Sequence, residues 1–151
     1  MKFEIVKYTK DRIADVIEFE KRLRQEEDFW GWEINEEYKN NVMQSFESEA
    51  FQNAVSFLAY VEGQVVGRID ASLIVSRFEG KINAYLDWIC VLKSYRHFGI
   101  AQQLMKTLRS ELKKKDASVL IGLIASNEEA QHFYRSLENS FIHDEGIWID
   151  L

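Results

Sequence analysis

Cysteine, proline and histidine are scarce in this chain. Its single cysteine, Cys90, excludes an intramolecular disulfide and any metal site built from cysteines, and three scattered histidines argue against one built from histidine. No metal is expected. There is no proline, no internal repeat and no low-complexity stretch to mark a linker. The 151 residues, 46% of them hydrophobic, suit one domain with enough apolar material for a full core. No apolar run approaches the ~20 residues of a membrane span. The opening Met1-Lys2-Phe3-Glu4-Ile5-Val6 also lacks the apolar stretch and cleavage site of a signal peptide. A cytoplasmic protein without a membrane partner is expected.

A basic surplus is missing too. The net charge of -6 argues against general nucleic-acid binding, whose affinity rests on neutralising phosphates. Its distribution is uneven: ten acidic residues face four basic ones between Glu18 and Glu49, while seven basic residues face one acidic between Lys93 and Lys115. One part would suit something cationic and the other something anionic; solvated helix faces of opposite sign explain the same charges. Phosphate loops of the Gly-x-x-x-x-Gly-Lys type, Gly-x-Ser-x-Gly elbows and paired-cysteine motifs are all absent.

What is present reads as alternating strands and helices. Phe3 to Tyr8 predicts an opening strand, and Thr9 or Asp11 can cap a helix with Ile13, Val16, Ile17 and Leu23 on one side. A second helix is predicted from Asn35 to Phe51, after the Trp30-Gly31-Trp32 break. Ala54 to Val61 and Gln64 to Val75 flank Glu62-Gly63, a tight-hairpin signal. In the second arm Gly67, Ile69, Ala71, Leu73 and Val75 alternate with Arg68, Asp70 and Ser72. Ile82 to Leu92 is too apolar for an edge strand. Gly99 to Lys114 carries the strongest helical stripe, Ile100, Leu104, Leu108 and Leu112, and ends on lysines that complement the dipole. Val119 to Ala125 reads as a buried strand, and Ser126-Asn127-Glu128-Glu129 as a capping box opening a helix through about Leu137. Phe141 to His143 and Ile147 to Leu151 would close the chain as short strands. The order β-α-α-β-β-β-α-β-α-β-β describes a mixed α/β (α+β) domain.

The chemistry concentrates between Tyr85 and Tyr134. A buried strand, Tyr85 to Val91, leads through Leu92 to Tyr95 into Arg96-His97-Phe98-Gly99-Ile100-Ala101 at a helix start. Unpaired N–H groups beside the positive end of a helix dipole cradle an anion, most naturally a pyrophosphate. Gly99 lets the backbone approach, Ala101 leaves room and Arg96 adds charge; a glycine that only permits a tight turn is the plainer alternative.

Val91 to Ala101 resembles the acetyl-CoA signature of the GNAT N-acetyltransferase superfamily, in which valine is followed five residues later by Arg or Gln and then by x-x-Gly-x-Gly/Ala. About thirty residues on, Asn127-Glu128-Glu129-Ala130-Gln131-His132-Phe133-Tyr134 resembles its second motif, Asn-x-x-Ala-x-x-Phe-Tyr. Lys93 stands where proline is usual, and the stretch from Tyr134 to Phe141 is two residues longer than the family's and lacks its glycine. The resemblance implies the GNAT fold, with a mixed, mostly antiparallel central sheet flanked by helices, and direct transfer from acetyl-CoA.

It further implies that the amides of Phe98, Gly99, Ile100 and Ala101 hold the CoA pyrophosphate, with Arg96 and His97 nearby. Ile89, Cys90 and Val91 would pair through their backbone with the pantetheine arm and polarise the thioester carbonyl. Asn127 would touch the pantetheine, or else only start its helix. Tyr134 would give its proton to the departing thiolate, a phenol near ~10 and a thiol near ~8.5 being close enough to share one; the alternative is a core aromatic beside Phe133. An acceptor amine is unreactive while protonated at pKa ~10, so a base is needed. Asp87 is the candidate, matching a Glu of the polyamine acetyltransferases, and period two puts it on one face with Tyr85, Ile89 and Val91. A carboxylate ion-paired within the sheet, or one that only holds the acceptor, is the other reading. Cys90 lacks a histidine partner and reads as packing.

In this fold the first two helices and their connection wall the acceptor side. Here that segment contains Asp28, Trp30, Trp32 and Glu33, carboxylates and aromatic walls suited to a cation. A small polycationic amine, a polyamine or aminoglycoside-like compound, is the expected acceptor. A protein amino terminus or lysine, and a module that binds acyl-CoA without transferring, are the alternatives. Many members dimerise, so a homodimer is expected, although no residue here demands it.

Overall fold

A computed structural model describes residues 1–27 and 31–151. The chain divides into two compact units, Met1–Ile121 and Gly122–Leu151, each described by itself. Its sheet has five strands in the order β1-β2-β3-β4-β5. These are β1 (Glu4–Lys7), β2 (Ala54–Val61), β3 (Gln64–Ser76), β4 (Lys81–Val91) and β5 (Leu120–Gly122). The first four pair antiparallel. Toward β5, Ser118 N–H bonds to Ile82 C=O and Ala84 N–H to Val119 C=O, both partners advancing together as in a parallel pairing. The sheet is therefore mixed and β4 is internal, as its apolar content requires. The β2–β3 turn forms where expected because Glu62 and Gly63 both accept positive φ, 49° and 77°, the geometry that matches strand twist.

Helices cover both faces of the sheet. Helix α1 (Ile13–Glu26) buries Val16, Ile17, Phe19 and Leu23. It is not capped by Thr9 or Asp11: the Thr9 hydroxyl donates to Asp11 over 2.6 Å and a 3-10 turn, Lys10–Arg12, precedes the helix. Helix α2 (Glu36–Ser45) is shorter than expected; Asn35 caps it by accepting the Tyr38 N–H, and a 3-10 turn, Glu49–Phe51, replaces its second half. Helix α3 (Ile100–Lys114) buries the whole predicted stripe, Ile100, Leu104, Leu108 and Leu112, plus Met105. Gly67 sets its distance from the sheet: a Cβ there would meet Ile100, Val91 and Leu104 at 3.2–3.3 Å. Each buried leucine or isoleucine contributes about 1.5–3 kcal/mol, so this stripe alone anchors the α3 layer.

Two expectations for the chain after Lys115 need correction. The strand after α3 is three residues long, and Val119 and Ile121 are exposed rather than buried. In the second unit α4 (Glu128–Arg135) forms, but no strand forms at Phe141–His143 or Ile147–Leu151. Apolar alternation supplies only a face; a strand also needs a neighbour's backbone, and two short strands alone are marginal. The turn after α4, which lacks the family's glycine, uses Asn139 at φ 54°, a residue whose side chain tolerates the left-handed region.

Candidate active site

Strand β3 supplies both sheet faces at period two. Gly67 and Ile69 face α3, whereas Arg68, Asp70 and Ser72 face α1. Register against β4 runs Gly67 to Val91, Arg68 to Cys90, Ile69 to Ile89 and Asp70 to Trp88, then slips so that Ala71 opposes Leu86. Asp87 is the extra residue of a β-bulge, and a bulge breaks side-chain alternation. Asp87 therefore does not share a face with Ile89 and Val91, which point toward α3. It shares one with Tyr85, Trp88 and Cys90, and the Ser72 hydroxyl donates to its Oδ2 over 2.6 Å.

This α1-side face is polar and half-buried, and Asp87 on it is exposed. Glu20 of α1 is wholly buried and accepts from Arg24 Nη1 at 2.8 Å and Arg68 Nη1 at 3.1 Å. Arg68 also grips Asp70, through Nε at 2.6 Å and Nη2 at 3.1 Å, and Ser56 Oγ donates to Asp70 over 2.7 Å. Burial opposes the Arg68 cation, but the charge and hydrogen bonds of Asp70 outweigh it and hold the guanidinium pKa above its ordinary value. Burial likewise raises the phenols of Tyr8 and Tyr38, and the Tyr8 hydroxyl has no hydrogen-bond partner among the described residues. Glu20 and Asp70 are thus matched by arginines, whereas no basic side chain among the described residues pairs with Asp87. Partial desolvation raises its pKa, Ser72 opposes that rise, and the charge of Asp70 adds to it.

Of the expected acceptor wall, Asp28 and Trp30 lie outside the described residues. Trp32 stacks on Tyr38 at 6.4 Å, meets Trp88 edge-on at 5.7 Å and lies under the Arg24 guanidinium at 5.2 Å. Its ring already holds a cation from the protein. Glu33 is exposed.

On the cofactor side, Arg96 does not stand free for a phosphate. Its Nε donates to the Val91 carbonyl over 3.0 Å and its Nη2 is ion-paired with Glu27. Glu26 accepts from both the N–H and the hydroxyl of Ser94, at 3.2 and 3.0 Å. The last turn of α1 therefore braces the loop before α3. That loop holds His97 at φ 67° and Gly99 at φ 80°, the latter a conformation only glycine takes without strain. A Cβ on Gly99 would meet nothing, so backbone conformation rather than space demands the glycine. Gly99 provides no side-chain cap, leaving the first-turn amides of Ile100, Ala101 and the residue after them available to an anion. Phe98 is half exposed and Ile100 is buried. Cys90 is buried opposite Arg68, its thiol pushed up to about 12 by burial, which fits packing and not nucleophilic attack.

In the second unit the Asn127 side chain accepts the Ala130 N–H over 2.8 Å, so Asn127, not Ser126, caps α4. Tyr134 is half-buried in α4, edge-on to Phe133 at 5.2 Å. Among the described residues no cluster of His, Cys, Asp and Glu could hold a metal ion, and no helix is long and apolar enough to cross a membrane. Arg68, Asp70, Ser72 and Glu20 escape sequence reasoning as site residues because a polar alternation on a strand ordinarily means a solvated face. The signal that could have found them is the acidic residue Glu20 amid the apolar stripe of α1.

A family model described as acetyltransferase (GNAT) family matches residues 21–138. No curated protein matches the chain. Among solved structures, it is similar to an aminoglycoside acetyltransferase, meta-AAC0020, from an uncultured soil metagenomic sample in complex with sisomicin. That likeness has TM-score 0.83 and 14% identity over 99% of this chain and 96% of that one. AAC(6')-Iy in complex with the bisubstrate analogue CoA-S-monomethyl-acetylneamine matches with TM-score 0.78 and 17% identity over 100% and 99% of the two chains. Ribosomal-protein-alanine N-acetyltransferase from Brucella melitensis biovar Abortus 2308 matches with TM-score 0.74 and 15% identity over 99% of each chain.

Proposed function

The chain belongs to the GNAT family of acetyltransferases, and on that premise we propose that it acetylates a small cationic amine at the α1-side face of β4. One observation carries the choice of acceptor. Asp87 is the carboxylate of that face without a basic partner among the described residues, while Glu20 and Asp70 are matched by Arg24 and Arg68. An ammonium group supplies the missing charge. The sisomicin and acetylneamine complexes of structural neighbours are in keeping with an amine of this kind.

Acetyl-CoA supplies the activated acyl group and the thiolate leaving group. The residues present suit it: the first-turn amides from Ile100 and Ala101 have no side-chain cap and sit at the positive end of the α3 dipole, just after Phe98 and Gly99. Arg96, engaged by Glu27 and Val91, shapes that loop and adds positive charge beside it. The backbone of Ile89, Cys90 and Val91 is paired with β3 on one side, and we assign the other edge to the pantetheine arm. The side-chain carbonyl of Asn127 is spent on the α4 cap, so any hydrogen bond from its side chain to a ligand falls to its amide N–H groups.

Asp87 accepts the proton of the bound ammonium, directly or through water, so that the neutral nitrogen can attack. Tyr134 donates its phenolic proton to the departing sulfur. No metal takes part in this reading. The test is release of CoA thiol from acetyl-CoA against polyamines, aminoglycosides, amino acids and short peptides, with thermal shift by acetyl-CoA in parallel. Turnover with the cationic small molecules supports the proposal. Turnover confined to peptides would move the acceptor to the protein class, as for the ribosomal-protein-alanine neighbour, and a shift without any turnover would leave a binding module.

A further inference from the structure

We propose that Ser72 is a positioning residue for Asp87, holding the carboxylate in the orientation and ionisation state that accept the acceptor's proton. The proposal rests on the reading of Asp87 as the base. In the ladder Ser72 opposes Tyr85, two residues before Asp87, so a regular register would place the two side chains on a diagonal. The bulge brings them together, and the Ser72 hydroxyl donates to Asp87 Oδ2 over 2.6 Å. It occupies one carboxylate oxygen and leaves the other, Oδ1, for the ammonium. No other hydrogen bond to the Asp87 side chain exists among the described residues.

The surroundings explain why such a donor is needed. Asp70 and Arg68 share its face from β3, Tyr85 and Trp88 flank it on β4, and Glu20 of α1 and Tyr38 of α2 pack against Arg68 on that face, with Asp87 itself exposed. The Arg68 cation is held by Asp70 and Glu20 and is not paired with Asp87. Partial desolvation and the Asp70 charge both favour a protonated Asp87, and a protonated base is inactive; the Ser72 hydrogen bond is what opposes them. Removing the hydroxyl must move the Asp87 pKa up, and with it the acid limb of the rate profile.

The test compares wild type, Ser72→Ala, Ser72→Thr and Asp87→Asn in two measurements. The carboxyl carbon of Asp87, assigned by its loss in Asp87→Asn, is titrated by NMR in the protein without ligands. The pH profile of kcat/KM is recorded with whichever amine of the panel turns over. Ser72→Ala should shift both midpoints upward by roughly one pH unit, the size of a hydrogen bond to an ionised acceptor partly replaced by water. Ser72→Thr, which keeps the hydroxyl, should restore both. If Asp87→Asn abolishes the acid limb but Ser72→Ala leaves limb and NMR midpoint unmoved, Ser72 has no positioning role. If Asp87→Asn keeps both turnover and the limb, Asp87 is not the base, and the assignment of Ser72 falls with it.

Discussion

The two faces of β3 differ as much as two proteins might. Toward α3 it shows Gly67, packed under Ile100 and Leu104, and the fully buried Ile69, an apolar surface. Toward α1 it shows Arg68, Asp70 and Ser72, tied to a buried Glu20 and to Asp87. Both faces are covered by a helix, but unequally: Gly67, Ile69 and Ala71 are buried, whereas Arg68, Asp70 and Ser72 are half-buried. The hydrocarbon face stabilises through area removed from water. The ionic face gains little net stability, because desolving its charges offsets their attraction, but it holds charged groups in fixed positions. Hydrocarbon packing and a charged network are thus carried by alternate residues of a single strand.

The sharpest way to break this comparison is Asp87→Asn. Loss of a general base should lower kcat/KM by about 100- to 10,000-fold, with the melting temperature nearly unchanged because Asp87 holds no ion pair among the described residues. A large melting shift instead would make Asp87 a structural residue. Tyr134→Phe should slow turnover at least about tenfold while leaving acetyl-CoA binding by thermal shift intact; equal turnover removes its role as proton donor. Arg68→Met should destabilise by about 3–5 kcal/mol in denaturant unfolding, since among the described residues Glu20 would lose one of two arginines and Asp70 its one cationic partner. Leu104→Ala on the opposite face should destabilise by a similar 2–5 kcal/mol or so, but without shifting the pH profile. If Arg68→Met unfolds no more easily than wild type, the ionic face is not a coupled unit. The smallest expected effect concerns Cys90: with its thiol pushed up to about 12 and buried, the folded protein at pH 8 should resist thiol reagents. Rapid labelling would show that this face opens.

Residues that act through local geometry are legible in the amino-acid order itself. Glu62-Gly63 announces its turn because few residues accept two successive positive φ values. The α3 stripe announces its helix because period 3.6 is local, and Gly99 announces the helix start, where first-turn amides lack partners within the helix. The face of Asp87 is not legible in that way. Alternation assumes an unbroken ladder, and the slip between Asp70 and Ala71 is a property of how two strands meet. The same limit explains the closing segment, where Ile147, Ile149 and Leu151 alternate but no strand forms.

Composition and periodicity by themselves determined a mixed α/β chain and its α3 core, and two motifs carried the resemblance to the GNAT family. Only the tertiary structure decided which carboxylate of the α1-side face is left without a cationic partner. Charge pairing there joins Glu20 to Arg68 across 48 residues, and a hydrogen bond joins Asp87 to Ser72 across 15. Such contacts depend on register and on helix placement, which long-range packing sets and no local pattern encodes.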